Sequence, residues 1–214
     1  MIDDIRKKVC NIITGTTGQE QEEEEQKVIV IDRGGGAEEV EIRAIGLFTD
    51  ISEEKVAEVV QGLLFFNEGN KASEEPARPV DFYLSTYGGN ADDMFALYDI
   101  MRMIEPETPL HTIGVGKVMS AGVLLLAAGT KGERRIMKNC RIMIHSVAAG
   151  NHGDLHNLVN EMEALQDLQE MYVNCLVQET KMTKSQLKKM LERKVNVYLS
   201  AEKAVELGIA DIIV

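Results

Sequence analysis

The sequence predicts an α/β domain built on a mainly parallel sheet. Between residues 80 and 172, three successive stretches repeat one arrangement, in which a short β-prone run leads through a turn into a helix of apolar periodicity. Such alternation is typical of parallel strands joined by helical crossovers. The chain has 214 residues, of which 44 % are apolar, so it is long enough for one domain with a sizeable core.

The N-terminal residues differ in composition from the rest. A Thr/Gly-rich run at residues 14–18 leads into an acidic tract at residues 19–26. Like charges at that density repel one another and stay solvated. We therefore predict a mobile acidic segment over residues 1–26 and a single domain over residues 27–214.

Two β-prone runs open the predicted domain, at residues 27–32 and 39–45. They flank an Arg-Gly-Gly-Gly turn at residues 33–36, which predicts a hairpin. The second run alternates apolar and charged residues, so one of its faces is expected to meet water.

A helix is predicted to follow from Ser52. This serine suits an N-cap, and Glu53 and Glu54 in the first turn suit the helix dipole. The helix should end near residues 67–69. Its apolar residues recur at helical spacing: Val56, Val59, Val60, Leu63 and Leu64.

The three strand–turn–helix units come next. The first unit has a strand at residues 80–84, a turn at 85–89 and a helix whose apolar residues fall between 94 and 101. The second has a strand at 110–115, a turn at 116–119 and a helix at 120–128. The third has a strand at 141–144, a turn at 145–150 and a long helix whose apolar residues fall between 155 and 172. After the third unit, Thr183 and Gln186 form a capping-box pattern for a short helix to about residue 193. Ser200 can cap a last turn that ends at Gly208, and residues 209–214 are predicted to return as a strand.

Composition excludes several classes of function. With 23 basic against 35 acidic side chains the formal charge is −12, whereas a nucleic-acid partner would require clustered Lys and Arg. The longest apolar runs, such as residues 123–128, are far shorter than the roughly 18 residues of a membrane-spanning helix. The N-terminus lacks a secretory pattern, and the three cysteines lack metal-ligand spacing. We expect a cytoplasmic protein with free thiols and no nucleic-acid or membrane partner.

Residues able to do chemistry follow the ends of the three strands. In α/β folds such ends share one edge of the sheet, and here they carry Gly88 and Gly89, then Ser120, then His145. Ser120 at a helix start offers a hydroxyl beside unpaired backbone N–H groups, although an ordinary N-cap has the same pattern. The Gly pair permits close backbone approach to a ligand, or marks a plain tight turn.

His145 follows Ser120 by 25 residues, which is enough for one helix and one returning strand. The two side chains could therefore be neighbours, although a lone histidine is more often structural. Val118 occupies the place of the first glycine in the Gly-x-Ser-x-Gly elbow, so an α/β-hydrolase is disfavoured. His152 and His156 share a helical face, but they lack the glutamate and third ligand of a zinc site, and no metal is expected.

Four separated motifs together resemble one family. They lie at residues 83–89 (YLSTYGG), 116–129 (GKVMSAGVLLLAAG), 141–145 (RIMIH) and 198–208 (YLSAEKAVELG). The chain resembles, over about residues 43–214, the proteolytic subunits of the Clp protease, ClpP. The resemblance implies a crotonase-like ββα superhelix and a Ser-His-acid peptidase without metal or organic cofactor. It also implies self-assembly into two stacked heptameric rings, a tetradecamer, with the sites facing an internal chamber.

The resemblance also assigns roles to individual residues. Ser120 becomes the nucleophile, His145 its general base, and the N–H groups of Gly89 and Ala121 the oxyanion donors. Asn196 stands four residues before the Ser200 of the Ser-Ala motif, where the family has the triad aspartate. An asparagine oxygen can accept the histidine Nδ1–H but supplies no negative charge, so we expect a slow protease.

The expected function is thus a serine endopeptidase that cleaves unfolded proteins or peptides. One alternative is a weakly active or structural ring subunit that works with an active paralogue. Another is a crotonase-like acyl-CoA enzyme, which has no need of a Ser-His pair. The family docks a hexameric AAA+ unfoldase through its N-terminal segment, and there this chain has the acidic tract instead of a basic patch.

Overall fold

The computed structural model describes residues 42–150, 152, 154–192 and 195–214. The predicted acidic segment 1–26 lies outside the described residues. So do the first run (27–32) and the turn (33–36) of the predicted hairpin, and only residues 42–45 of its second run are described. In chain order the elements are β1 (Ala44–Leu47), α1 (Glu53–Lys71), β2 (Val80–Thr86), α2 (Ala91–Ile104), β3 (Leu110–Met119), α3 (Ala121–Ala127), β4 (Arg135–Ile136), β5 (Arg141–Ile144), α4 (Leu155–Glu179), α5 (Lys184–Leu191), β6 (Val197–Leu199), α6 (Ala201–Glu206) and β7 (Ile212–Ile213).

The strands form one mainly parallel sheet, which confirms the predicted α/β class. β1, β2 and β3 pair in parallel in that order, and β3 then divides its pairing between β4 and β5. β7 pairs in parallel with β4, and β6 pairs antiparallel with β5. Inward side chains of β2 alternate along the strand and meet the helices in the core.

Local sequence signals set most helix ends. Ser52 caps α1 as predicted, although the helix runs to Lys71, two residues past Gly69. Thr183 and Gln186 make both hydrogen bonds of the capping box at the start of α5. Ser200 caps α6 through the N–H of Lys203.

The predicted turn at residues 116–119 is wrong, because β3 continues to Met119. Leu84 of β2 pairs with Gly114, but Thr86 pairs with Val118, so β3 advances four residues where β2 advances two. Gly116 supplies the positive φ of 64° within this bulge. The bulge redirects the second half of β3, whose Lys117 then pairs with Arg141 of β5.

The long helix α4 is packed unevenly. Its buried residues lie in the C-terminal half and are Tyr172, Val173, Leu176 and Glu179. In the N-terminal half, Leu155 is 72 % exposed, Val159 49 % and Met162 62 %.

Within the described residues, no helix is both long enough and apolar enough to cross a membrane.

Candidate active site

The residues predicted to form the site lie at the carboxyl ends of three strands. β2, β3 and β5 are neighbours in the sheet, so their ends meet at one edge. The residues that follow these ends, Gly89, Ser120 and His145, line one pocket of about 500 Å³. Apolar and aromatic side chains also line this pocket: Met94, Phe95, Leu165, Leu168 and Tyr172.

Ser120 has an unusual backbone conformation. Its φ of 54° is positive, which no other non-glycine residue shows within the described ranges. Such backbone strain in a non-glycine residue persists only where the surroundings over-determine it, and it concentrates at functional sites. Ser120 precedes α3 but its side chain makes no capping hydrogen bond, so it is not the ordinary N-cap that remained an alternative.

The Ser120 hydroxyl is instead paired with a histidine. His145 Nε2 lies 2.7 Å from Ser120 Oγ. With the proton of the neutral imidazole on Nδ1, the serine O–H donates to Nε2, which is the arrangement a general base requires. The Ser120 N–H donates to Met143 O at 2.8 Å, so β5 positions the serine as well as the histidine.

The glycine pair is held rigidly beside the serine. The N–H of Gly88 donates to Thr86 Oγ1 at 3.0 Å, and its carbonyl accepts the Ile51 N–H at 2.7 Å. A Cβ on Gly88 would lie 2.6 Å from Ser120 Cβ, and one on Gly89 would lie 2.2 Å from Ile51 O. These positions therefore require glycine, at φ values of 106° and 150°.

Two backbone donors lie free at this edge. Among the described residues, no acceptor pairs with the N–H of Gly89 or with that of Ala121, the first residue of α3. Both residues line the pocket with Ser120. Unpaired N–H groups at a helix start and a Gly turn are suited to binding a negatively charged oxygen.

Asn196 lies near His145 in the strand register. Ile144 pairs with Val197, and one further step of this antiparallel ladder places Asn196 opposite His145. The Asn196 side chain is exposed. In the described parts of the chain, no hydrogen bond joins Asn196 to His145.

The remaining candidate residues do not line this pocket. His152 and His156 are exposed. Across the described residues, no group of three or more His, Cys, Asp or Glu side chains is arranged to hold a metal ion. Cys140 is buried, and burial raises the pKa of its thiol to about 11, so it packs as a small apolar side chain.

Sequence reasoning missed one polar contact of the site. Tyr172 is the last residue of the helix predicted over residues 155–172, and its hydroxyl donates to the Ser120 carbonyl at 2.9 Å. No local pattern could have indicated this contact, because 52 residues separate the partners.

The fold and the site together define a class of protein. It is an α/β protein in which a strained serine is hydrogen-bonded to a histidine at the ends of adjacent parallel strands, beside free backbone donors. Comparison with known proteins narrows this class.

The family model of the Clp protease matches residues 37–214, and the chain belongs to this family. It is similar to ATP-dependent Clp protease proteolytic subunit 1 of Prochlorococcus marinus (strain MIT 9312), with 30 % identity over 171 residues, which cover 80 % of this chain and 83 % of the relative. The protein of the same name from Prochlorococcus marinus subsp. pastoris is also 30 % identical, with the same coverage. The expected family is thereby confirmed.

Proposed function

We propose that this chain is a serine endopeptidase of the Clp type. One observation carries the proposal: His145 Nε2 lies 2.7 Å from the Oγ of a serine that is held in a strained conformation. A structural histidine or a capping serine would explain neither the contact nor the strain. The family, whose relatives are named proteolytic subunits, gives the reaction class.

The proposed reaction starts with the pair Ser120 and His145. Ser120 Oγ attacks the carbonyl carbon of the scissile peptide, and its proton moves to His145 Nε2. The negative oxygen of the tetrahedral intermediate is bound by the N–H groups of Gly89 and Ala121. His145 then protonates the leaving amine as the C–N bond breaks. Water, deprotonated by the same histidine, hydrolyses the acyl-enzyme ester.

We assign Asn196 as the third member of the triad. The support is its register position opposite His145. An asparagine oxygen could accept the Nδ1–H and hold the imidazole in the required tautomer, but it would not stabilise the imidazolium by charge. A slow protease follows from this assignment.

The proposal extends to assembly and partners. The exposed apolar residues Leu155, Val159 and Met162 on α4 support self-assembly, because soluble proteins rarely leave such surface uncovered. We propose two stacked heptameric rings, a tetradecamer, acting on unfolded proteins or peptides in the cytoplasm. A hexameric AAA+ unfoldase is the proposed partner.

A second function is favoured by one observation. Asn196 is exposed and makes no hydrogen bond with His145 within the described residues. A chain with an incomplete triad could serve as a weakly active or structural ring subunit beside an active paralogue.

Covalent labelling distinguishes these functions. A fluorophosphonate probe reacts only with an activated serine, so intact-mass analysis should show one adduct on the wild-type protein and none on Ser120→Ala. Ser185→Ala removes an exposed hydroxyl from α5 and should label like the wild type. Ser120→Ala should also lose peptide hydrolysis while particle size by light scattering is unchanged. Absence of an adduct on the wild-type protein would favour the structural subunit, and hydrolysis by Ser120→Ala at the wild-type rate would refute the nucleophile.

A further inference from the structure

Tyr172 is a buried tyrosine whose hydroxyl has one partner in the described structure. It lies in the C-terminal half of α4, and its O–H donates to the Ser120 carbonyl at 2.9 Å. Burial raises the pKa of this hydroxyl above its usual range. The hydroxyl therefore stays protonated, and stays a donor, throughout the pH range of a hydrolysis assay.

The carbonyl that accepts this hydrogen bond belongs to the peptide group that joins Ser120 to Ala121. Its N–H is that of Ala121, one of the two backbone donors at the edge of the pocket that have no acceptor among the described residues. The peptide is trans, so its C=O and N–H point in opposite directions within one plane. A donor that fixes the direction of the Ser120 carbonyl therefore also fixes the direction of the Ala121 N–H.

The same hydrogen bond changes the strength of that donor. A peptide whose oxygen accepts a hydrogen bond is polarised, and its N–H becomes a stronger donor. The Ser120 carbonyl already accepts the Val123 N–H at 3.0 Å, so Tyr172 adds a second polarising donor. The stronger donor stabilises a substrate oxygen bound at the Ala121 N–H. That oxygen becomes negatively charged only in the transition state, so the stabilisation lowers the barrier.

We propose that Tyr172 is a positioning residue of the oxyanion hole, which orients and polarises the Ser120–Ala121 peptide through its hydroxyl. This inference rests on the proposed peptidase function and extends it to a residue on a distant helix. Tyr172 acts through the backbone, because its hydroxyl contacts Ser120 O and not the Ser120–His145 pair.

The test is Tyr172→Phe, which keeps the ring that lines the pocket and removes only the hydroxyl. The Ser120 carbonyl keeps the Val123 N–H, so no buried carbonyl is left unpaired. Loss of one oriented donor should lower kcat roughly tenfold and leave KM unchanged, since the interaction acts on the transition state. Affinity for a peptide boronate, whose adduct places an oxygen in the oxyanion hole, should fall by the same factor. The acidic limb of the pH–rate profile should stay in place.

Tyr98→Phe is the matched control. Tyr98 is equally buried, its hydroxyl donates to Glu179 Oε1 at 3.0 Å, and neither residue lines the pocket. This variant should keep the wild-type kcat. Site-specific 3-fluorotyrosine at position 172 keeps the donor and makes it more acidic, so it should give kcat at or above the wild-type value.

Distinct results would overturn the inference. One is an unchanged kcat and boronate affinity in Tyr172→Phe. Another is a rise in KM that accounts for the whole loss of kcat/KM in that variant. The third is a kcat below the wild-type value with 3-fluorotyrosine at position 172. If Tyr172→Phe does not assemble, the fluorotyrosine protein carries the test. A wild-type protein that neither hydrolyses peptides nor takes up the fluorophosphonate would instead refute the proposed function, and the inference with it.

Discussion

The ion pair between Arg134 and Asp211 joins three parts of the domain. Arg134 Nε and Nη2 donate to the two Asp211 carboxylate oxygens at 2.7 and 2.5 Å. Arg134 Nη1 donates to Ala127 O at 3.1 Å and to Glu179 O at 2.7 Å, which are at the C-terminal ends of α3 and α4. The pair thus connects the two helices that carry the Ser120 peptide and Tyr172 to the last strand.

Asp211→Asn tests what this connection contributes to stability. The Arg134 side chain is 5 % exposed and that of Asp211 21 %, so the variant leaves a buried guanidinium without its counter-charge. Breaking a buried pair in this way costs about 3–5 kcal/mol. The partial exposure of Asp211 places the expected loss near the lower limit, at about 3 kcal/mol.

Urea unfolding at neutral pH measures this loss. With a slope of about 2 kcal/mol/M, the midpoint should fall by about 1.5 M without a change in slope. All proteins are compared at one concentration, because assembly contributes to apparent stability. Glu133→Gln is the control, since Glu133 pairs with Arg135 at 2.9 Å between side chains that are 41 % and 33 % exposed. Such an exposed pair contributes about 0.5 kcal/mol.

The effect of Asp211→Asn should also depend on pH. Burial alone would raise the Asp211 pKa, but hydrogen bonds from Arg134 and from the Gly132 N–H outweigh it and hold this pKa below its usual value. A carboxyl with a lowered folded-state pKa stabilises the fold above its unfolded-state pKa of about 4, and loses that contribution as the pH falls through the folded value. The difference in the free energy of unfolding between the wild type and Asp211→Asn should therefore have its full size at pH 5–7 and shrink below about pH 4. Equal losses for Asp211→Asn and Glu133→Gln, or a difference that grows below pH 4, would refute this reasoning.

Two further substitutions test the proposed triad and assembly. Asn196→Asp should raise the rate of peptide hydrolysis about tenfold and move the acidic limb of the pH–rate profile to higher pH, because a carboxylate stabilises the His145 imidazolium. No change in either quantity would mean that position 196 does not contact His145. Val159→Asp should dissociate the particle to smaller species in light scattering, because assembly would bury an unpaired carboxylate. The matched variant Asn160→Asp, on the same helix, should leave the particle size unchanged. A monomeric wild-type protein would count against the ring assembly.

Residues next to one another in sequence were sufficient to predict the α/β class. The alternation of strand and helix patterns, and the caps at Ser52, Thr183 and Ser200, depend on contacts within a few residues. The same patterns predict that Ser120 and His145 follow the ends of successive strands, and the carboxyl ends of parallel strands lie at one edge of a sheet.

Tertiary structure decided what depends on partners distant in sequence. The bulge at Gly116 lies where β3, still paired with β2 on one edge, changes its partner on the other edge from β4 to β5. A local pattern reads its glycine as a turn. Ser120, whose φ is positive, donates its N–H to Met143 O and accepts the Tyr172 hydroxyl at its carbonyl, and both partners are distant in sequence. Arg134 likewise meets Asp211 only after the chain has returned to the sheet. Sequence periodicity records which face of an element is buried, whereas the partner of a buried polar group is determined by packing between elements.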